Sequence, residues 1–454
     1  MKSNLLAHLW RLAGLVILPV LLLTTGPASA QEADTSAVYA ADDSLLNAYL
    51  AEALKNHPDL ASMEAMIQAQ VARARMAGSW MNPSLMLGAM NVPTSLDFHE
   101  EPMTMKTVGF MIQIPFPGKL HYTRKAELAR VAATRSQYAQ MRLDMIAMVK
   151  MAYYELAGLL AVQETLEESR MLAGDMITAA RIMASSAMGS QADVLRAQLE
   201  YETWAKQLIA NRENITEAKS RLAAALGRNS AEDLDEPVSR QALTYHPLPQ
   251  LETLLAGNLE ETPALLAQAA EVEAARAELK RARLSYWPDF DVSFTYGFRE
   301  YLEDGAGMAG MPVETGRTPL GDMVSLEVRF PIPLFYRSNQ RALVKENQAM
   351  LQNAEAEYRA GSLELRDEVR QAHARMEAAR ATYELIAETL LPTAEATFEA
   401  SLVAYQSGSI PFMSLNEALM QVTMHRMDEA MALADLHMAR ADVARLLGVM
   451  LQPW

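Results

Sequence analysis

The sequence predicts a mainly helical protein with a membrane-spanning β-portion, built from one structural unit that occurs twice. Three observations lead to this fold class. Landmark residues recur after about 200 positions, which indicates an internal repeat. Long segments without proline predict long helices, and short segments in which apolar and polar residues alternate predict two-faced strands.

Residues 1–30 have the composition of a secretion signal. Two basic residues precede the apolar run 12–23, and the segment 28–30 (Ala-Ser-Ala) offers the small residues that a signal peptidase requires. The run is too short for a membrane-spanning helix, which needs roughly 20 apolar residues. We therefore expect an exported mature chain beginning at Gln31, which is either periplasmic or crosses a membrane as β-strands.

The composition excludes several classes of protein. The chain has no cysteine, so disulfides, thiolate metal sites and a lipid-carrying cysteine are excluded. A formal net charge of -16 argues against nucleic acid as a partner. The sequence shows no catalytic signature, and its 8 histidines show no metal-ligand spacing. We expect no catalytic residues, no cofactor and no metal site.

The internal repeat is visible in pairs of prolines. Pro58 and Pro263 are 205 positions apart, and so are Pro83 and Pro288, each of which closely follows a tryptophan. Two further pairs of landmarks are Gly189-Ser190 with Gly408-Ser409, and Leu226-Gly227 with Leu447-Gly448. A Leu-Gly pair is typical of a helix that ends at a C′ glycine. These matches predict a first repeat at 31–240 and a second at 241–454.

Four strands are predicted, two in each repeat. The clearest is 289–299, where Phe290, Val292 and Phe294 alternate with polar residues. The predicted strands lie near 84–92, 105–114, 289–299 and 322–330. The polar or Gly/Pro-rich segments 93–104 and 300–321 separate them and predict external loops.

Each pair of strands is followed by two long helices, predicted at 119–188, 191–227, 336–407 and 411–448. The first contains no proline and, at about 1.5 Å per residue, would extend roughly 100 Å. Pro392 should kink the third helix or change its winding. The chain is expected to reverse at Gly189 and Gly408.

The strand pattern also predicts self-association. Strands with one apolar and one polar face suit lipid only when the sheet closes and leaves no free edge. Four strands are too few, because small membrane barrels have about eight. Two copies would leave little lumen, whereas three would give twelve strands and room for a channel. We therefore expect a trimeric 12-stranded β-barrel continued by a periplasmic α-helical barrel.

The chain resembles the outer membrane factor family of TolC-like efflux proteins, and within it the heavy-metal (copper/silver) efflux channels. The resemblance covers the mature chain and is carried by the paired hairpins, the Pro-x-Pro motifs at 115–117 and 331–333, and the turn segments 189–198 and 405–409. It implies a homotrimer in the lipid of a Gram-negative outer membrane, with a large periplasmic portion. It also implies an exit duct, not an enzyme, that works with a periplasmic adaptor and an inner-membrane RND-type pump.

The resemblance also implies site residues. The tips that meet the adaptor would be Gly189, Ser190, Gly408 and Ser409, and the periplasmic aperture would involve Asp193, Tyr405 and Glu417. Asp193 has a second interpretation, as an acid in the first turn of a helix that interacts favourably with the positive end of the helix dipole. At two positions, Ile410 and Ser414, the chain differs from the TolC-like channel used for comparison. That channel has an arginine at the first position and an acid at the second.

The cargo is the open question. The chain has 30 methionines, and thioethers are soft ligands for Cu(I) or Ag(I). Met413, Met420 and Met427 are spaced by seven, however, which predicts a buried packing seam. Better candidates for contact with cargo lie near the barrel: Met81, Met86, Met90, Met103, Met105, Met308 and Met311. Drug efflux and type I secretion remain alternatives, as does a periplasmic coiled-coil adaptor, although two amphipathic hairpins argue against an adaptor.

Overall fold

The computed structural model describes residues 43–99, 101–186, 189–234, 243, 251, 259–302, 318–332 and 334–448. The predicted signal at 1–30, the predicted repeat boundary near residue 240, Met308 and Met311 lie outside these residues.

Helices make up most of the described chain. They are α1 (Ser44–Asn56), α2 (Pro58–Ala77), α3 (Lys119–Ser185), α4 (Gln191–Ala225), α5 (Pro263–Arg283), α6 (Gln340–Leu385), α7 (Leu391–Gln406) and α8 (Phe412–Leu447). The four long predicted helices end within a few residues of these bounds. The 67 residues of α3 extend about 100 Å.

The longest helix, α3, is the centre of the helical packing and contacts α2, α4, α5 and α8. It contains a stretch apolar enough to cross a membrane, with a mean hydropathy of 1.5, and 61% of that stretch is buried within the protein. Gly158 allows α8 to approach closely, because an added Cβ would lie 2.9 Å from the Cβ of Ala434. The apolar stretch is therefore the core side of a packed helix.

The predicted methionine seam on α8 is wrong at two of its three positions, whereas Met427 is partly buried and packs against the core. Met413 and Met420 are 52% and 47% exposed, whereas Leu415 and Val422 are buried. The buried stripe has the expected heptad spacing but begins two residues later than the methionines. A sequence repeat of seven gives the period of a buried stripe, and only the neighbouring helices decide which of several such stripes is covered.

The predicted change of winding near Pro392 is present. A turn of π-helix, Ile386–Leu390, separates α6 from α7, and the N–H of Leu391 bonds to the carbonyl of Ile386. Proline has no N–H, and its ring clashes with the carbonyl four residues earlier. The wider π turn accommodates this clash without ending the helix.

Both repeats close on themselves in the same way. Gly227 and Gly448 follow the last helix of their repeat in left-handed conformations, with φ of +76° and +65°. An added Cβ on Gly227 would lie 3.3 Å from Cδ of Pro58, and one on Gly448 would lie 3.0 Å from Cδ of Pro263. The last glycine of each repeat thus packs on a proline that begins a helix of the same repeat. This helix is α2 in the first repeat and α5 in the second.

The strands form one four-stranded antiparallel sheet and a short ladder. They are β1 (Ser84–Met90), β2 (Met105–Ile114), β3 (Phe290–Phe298), β4 (Tyr301–Leu302), β5 (Thr318–Pro319) and β6 (Met323–Arg329). The sheet order is β1-β2-β3-β6, so β2 and β3 join the two repeats. The β4–β5 ladder, which was not predicted, extends the second hairpin.

The register gives the sheet two distinct faces. The apolar face carries Leu85, Leu87, Ala89, Val108, Phe110, Ile112, Ile114, Phe290, Val292, Phe294, Tyr296, Phe298, Val324, Leu326 and Val328, with Lys106 at its loop end. The polar face carries Ser84, Met86, Gly88, Met90, Met105, Thr107, Gly109, Met111, Gln113, Asp291, Ser293, Thr295, Gly297, Met323, Ser325, Glu327 and Arg329. The edge strands β1 and β6 pair with no further strand among the described residues.

A hydrogen-bonded ion pair joins the two repeats where the sheet meets the helices. The carboxylate of Asp289 accepts hydrogen bonds from the backbone N–H of Phe116 at 2.7 Å and from Nζ of Lys119 at 2.8 Å. Lys119 also donates to the carbonyl of Trp287 at 2.8 Å. The ring of Trp287 stacks on Phe116 with a centroid distance of 5.3 Å. These contacts hold the start of α3, in the first repeat, to the start of β3, in the second repeat.

We expect Asp289→Ala to lower the free energy of unfolding by about 1–3 kcal/mol, because it leaves a backbone donor and a partly buried ammonium without their acceptor. Urea-induced unfolding in detergent, followed by helical circular dichroism, measures the change. Asp175→Ala is the matched control, since Asp175 is exposed on α3. Equal effects of the two substitutions would contradict a role for this ion pair.

Two glycines should respond to alanine with opposite signs. Gly227→Ala should destabilise the chain by about 1–2 kcal/mol, because an L-residue is strained at positive φ. Gly174→Ala should stabilise it by up to about 1 kcal/mol, because glycine weakens a helix interior. An added Cβ there would meet only the ring of Tyr201, at 3.7 Å. A shift of the same sign in the thermal midpoints of both variants would contradict this explanation.

Candidate functional site

The two chain reversals lie together at the end of the helices that is farthest from the sheet. Residues on both sides of each turn contribute to one buried cluster, here called the tip cluster: Met183, Val194, Ala197, Tyr405, Phe412 and Leu415. Met183 and Val194 flank the first turn, and Tyr405 and Phe412 flank the second. The structure thus brings the residues that flank the two sequence-predicted tips into one buried cluster.

The first tip is fixed by a reciprocal helix cap. Ser190 Oγ accepts from the N–H of Asp193 at 3.2 Å, and the Asp193 carboxylate accepts from the N–H of Ser190 at 3.0 Å. The carboxylate also faces Arg196 at 3.5 Å. Asp193 therefore has the role of a helix-start acid, and its place in an aperture stays a prediction. A capping box is a motif that the sequence Ser-x-x-Asp indicates directly.

The second tip is built around the turn at Gly408. This residue has a φ of +73°, and the N–H of Ser409 bonds to the carbonyl of Ala404 at 2.9 Å, as in a glycine-terminated helix. The hydroxyls of Ser407 and Ser409 lie 2.8 Å apart. Gly408 and Ser409 are exposed, as is Ser190 in the first tip. Three of the four predicted adaptor-contact residues are therefore exposed in the protomer, and Gly189 is half-buried.

Tyr405 is the buried centre of the tip. It is only 4% exposed, and its ring meets Phe412 edge-on with a centroid distance of 5.8 Å. Its hydroxyl is buried without a hydrogen-bond partner in the protomer. Burial, and then the negative charge of Asp193, raise the pKa of this hydroxyl. Tyr405 and Asp193 are therefore close enough to interact electrostatically.

Glu417 does not join these two residues. It is exposed on α8 beyond Phe412, and it makes no hydrogen bond or ion pair within the described part of the chain. Ile410, where the family channel has an arginine, packs against the tip cluster, and Ser414 is exposed. In the protomer, apolar packing thus occurs where the family channel has an arginine, and an exposed serine stands where it has an acid.

Polar residues above the tips hold the helices together, and sequence analysis missed them. Arg426 on α8 pairs with Glu395 on α7 at 2.8 Å and with Glu168 on α3 at 3.0 Å. The hydroxyls of Ser169 and Thr423 meet at 2.8 Å inside the core. These partners are distant in sequence, so no local spacing reveals them.

Asn416 is a second missed residue, and a signal for it was present. It lies 8% exposed within the buried stripe of α8, and its Nδ2 contacts Glu200 at 3.4 Å. Its Oδ1 is buried and makes no hydrogen bond in the protomer. An amide inside an otherwise apolar stripe indicates a specific partner, but only when the stripe is placed in the correct register.

Within the described residues, no group of three or more histidine, aspartate and glutamate side chains is arranged to hold a metal ion. The site instead consists of a packed helical tip at one end and a two-faced sheet at the other. Together they define the protomer of an outer-membrane channel, in which a small sheet continues into long periplasmic helices.

The family described as outer membrane efflux protein matches residues 49–228 and 254–449. The chain belongs to this family, and its fold class is that of TolC-like channels. It is an outer-membrane protein with a large periplasmic helical portion and is not an enzyme. Membership of this family also excludes the alternative that the chain is a periplasmic coiled-coil adaptor.

The relatives are distant in sequence and similar in fold. The cobalt-zinc-cadmium resistance protein CzcC of Cupriavidus metallidurans is 24% identical over 259 residues, which cover 57% of this chain and 57% of that protein. The match thus spans little more than half of that relative. The structure of VceC from Vibrio cholerae is 19% identical with a TM-score of 0.72, and covers 89% of this chain and 96% of its own. CusC is 15% identical with a TM-score of 0.73, over 90% and 93%.

Substitutions at Tyr405 should separate packing from hydrogen bonding at the tip. We expect Tyr405→Phe to leave the free energy of unfolding unchanged or slightly raised, because the buried hydroxyl has no partner in the protomer. Tyr405→Ala should lower it by about 3–5 kcal/mol, because it leaves a cavity in the tip cluster. Chemical unfolding in detergent provides the measurement. A loss in Tyr405→Phe as large as that in Tyr405→Ala would mean that the hydroxyl gains a partner in the assembled protein.

Proposed function

We propose that this chain is one protomer of a homotrimeric exit duct of the outer membrane. The duct passively conducts substrate delivered by a periplasmic adaptor and an inner-membrane RND-type pump. Heavy-metal cations are the proposed cargo. The protein needs no cofactor and binds no nucleic acid in this role.

The observation that carries the proposal is the sheet with two faces and two open edges. Strand β1 is exposed along its whole length, and β6 along nearly all of it. Unpaired backbone groups are not tolerated in lipid, so β1 and β6 require strands from other copies. Three protomers supply twelve strands, enough for a lumen. The apolar face then contacts outer-membrane lipid, and the polar face lines the channel.

The tips support the proposed contact with an adaptor. The exposed turn residues Ser190, Gly408 and Ser409 are presented at the end of helices about 100 Å long, far from the sheet. A periplasmic partner would meet these turns first. The buried packing beneath them keeps both turns at one level, which suits a docking surface shared by all protomers.

The proposed cargo rests on two independent facts. CzcC, one of the relatives, is by name a cobalt-zinc-cadmium resistance protein. The chain also has 30 methionines, whose thioethers favour soft metal ions. Organic drugs and secreted polypeptides are the alternatives. Growth of the host with this gene deleted, in graded silver, zinc and drug concentrations, distinguishes metal cargo from the alternatives.

The duct itself is tested by native mass spectrometry and planar-bilayer recording of the mature protein purified in detergent. We expect a trimer that forms small, cation-selective channels. A monomeric protein that does not conduct would contradict the proposal. If the acidic side chains form rings around the aperture, Asp193→Ala and Glu417→Ala should each raise conductance and lower cation selectivity.

Ser190→Ala is the matched control for Asp193→Ala. Both substitutions break the helix cap, which is worth about 1 kcal/mol, but only Asp193→Ala removes a negative charge. Reversal potentials in a salt gradient should therefore shift for Asp193→Ala and not for Ser190→Ala. Equal shifts in both variants would leave Asp193 with the capping role alone.

A further inference from the structure

The methionines of the sheet lie on one face. Met86, Met90, Met105, Met111 and Met323 all occupy polar-face positions in the register. The apolar face carries phenylalanine, leucine, isoleucine and valine, but no methionine in the described strands. The distribution therefore calls for a reason specific to the polar face.

Three of these methionines are neighbours at the loop end of the sheet. Met90 on β1 is directly opposite Met105 on β2, and such cross-strand pairs have Cβ atoms about 4.5–5.5 Å apart. Met323 on β6 is opposite Gly297 on β3. The side chain of Met105 covers that glycine, since an added Cβ on Gly297 would lie 2.5 Å from its sulfur. The Met105 thioether thus lies between Met90 and Met323.

Met86, the fourth methionine, lies over a second glycine, Gly109. An added Cβ on Gly109 would lie 3.3 Å from the methyl carbon of Met86. Both methionine side chains therefore lie across the sheet over glycines, and do not fill a core. Met86 and Met90 are 36% and 52% exposed in the protomer. Both residues are therefore accessible on the face that lines the proposed channel.

The surroundings select for one class of ion. The groups beside these thioethers are the hydroxyls of Thr107, Thr295 and Ser325. The charged side chains of the paired strands on the polar face, Asp291, Glu327 and Arg329, lie in the rows nearer the helices. Of these, Glu327 and Arg329 neutralise one another at 2.8 Å. At the loop end, the guanidinium of Arg299 donates to the carbonyls of Gly321 and Pro102. Neutral soft donors without a carboxylate suit monovalent Cu(I) or Ag(I), and not hard or borderline divalent cations.

We propose that Met86, Met90, Met105 and Met323 form a row of thioether contacts, here called the thioether site, for soft monovalent cations along the inner face of the barrel. This inference rests on the proposed function for the statement that the polar face lines a channel. In a trimer the site would occur three times around the lumen, so that a passing cation exchanges between weak, equivalent sites. Such weak and multiple binding is compatible with conduction.

Silver binding tests the site directly. Equilibrium dialysis of the detergent-purified protein against Ag(I) nitrate, in chloride-free buffer, gives the number of ions bound. We expect the quadruple Met→Leu variant to lose silver sites, because leucine keeps the volume and removes the sulfur. The variant carries Met86→Leu, Met90→Leu, Met105→Leu and Met323→Leu. Its control removes four exposed helical methionines through Met66→Leu, Met76→Leu, Met171→Leu and Met350→Leu.

Equal silver binding by all three proteins would overturn the inference, as would a Zn(II) site lost in the same variant. Potassium conductance in planar bilayers tests the duct separately and should be the same in all three. Added Ag(I) should reduce that current in the wild type and in the control, but not in the quadruple variant. If the wild type does not conduct, the proposed duct fails, while the dialysis result still decides whether the thioether site exists.

Discussion

The whole structure depends on the requirement that backbone hydrogen bonds be satisfied in lipid. A four-stranded sheet leaves the N–H and C=O groups of β1 and β6 unpaired, and a bilayer offers no water to replace the missing strands. In the proposed duct, strands from further copies of the chain would supply the missing partners.

The duplicated unit explains how one chain supplies two adjacent hairpins. Strands β2 and β3 come from different repeats and form the central pair of the sheet. The Asp289–Lys119 ion pair ties the repeats at the same level. Each repeat also packs its last glycine on a proline, Gly227 on Pro58 and Gly448 on Pro263. The repeats differ where α6 and α7 meet, since Pro392 and the π turn occur only in the second.

The two ends of the molecule use opposite physical chemistry. At the tips, Tyr405, Phe412 and Ile410 are packed, so the position of the turns is set mainly by apolar contact. In the sheet, apolar residues occupy one face, whereas thioethers, hydroxyls and a few charged groups occupy the other. Under the proposed function, the tip holds a shape that an adaptor recognises, and the sheet makes weak contact with an ion in transit.

Local patterns in the sequence determined the element types and most of their bounds: the alternation of strands, the absence of proline in α3, the capping glycines and the capping box of Ser190 and Asp193. Tertiary structure decided what depends on distant neighbours. It placed the buried stripe of α8 on Leu415 and Val422 instead of Met413 and Met420, paired Arg426 with Glu395 and Glu168, and separated Glu417 from Tyr405. It also put the strand methionines on one shared face. The spacing at which apolar residues repeat can be read from the sequence, whereas burial and side-chain pairing depend on which helices and strands pack together.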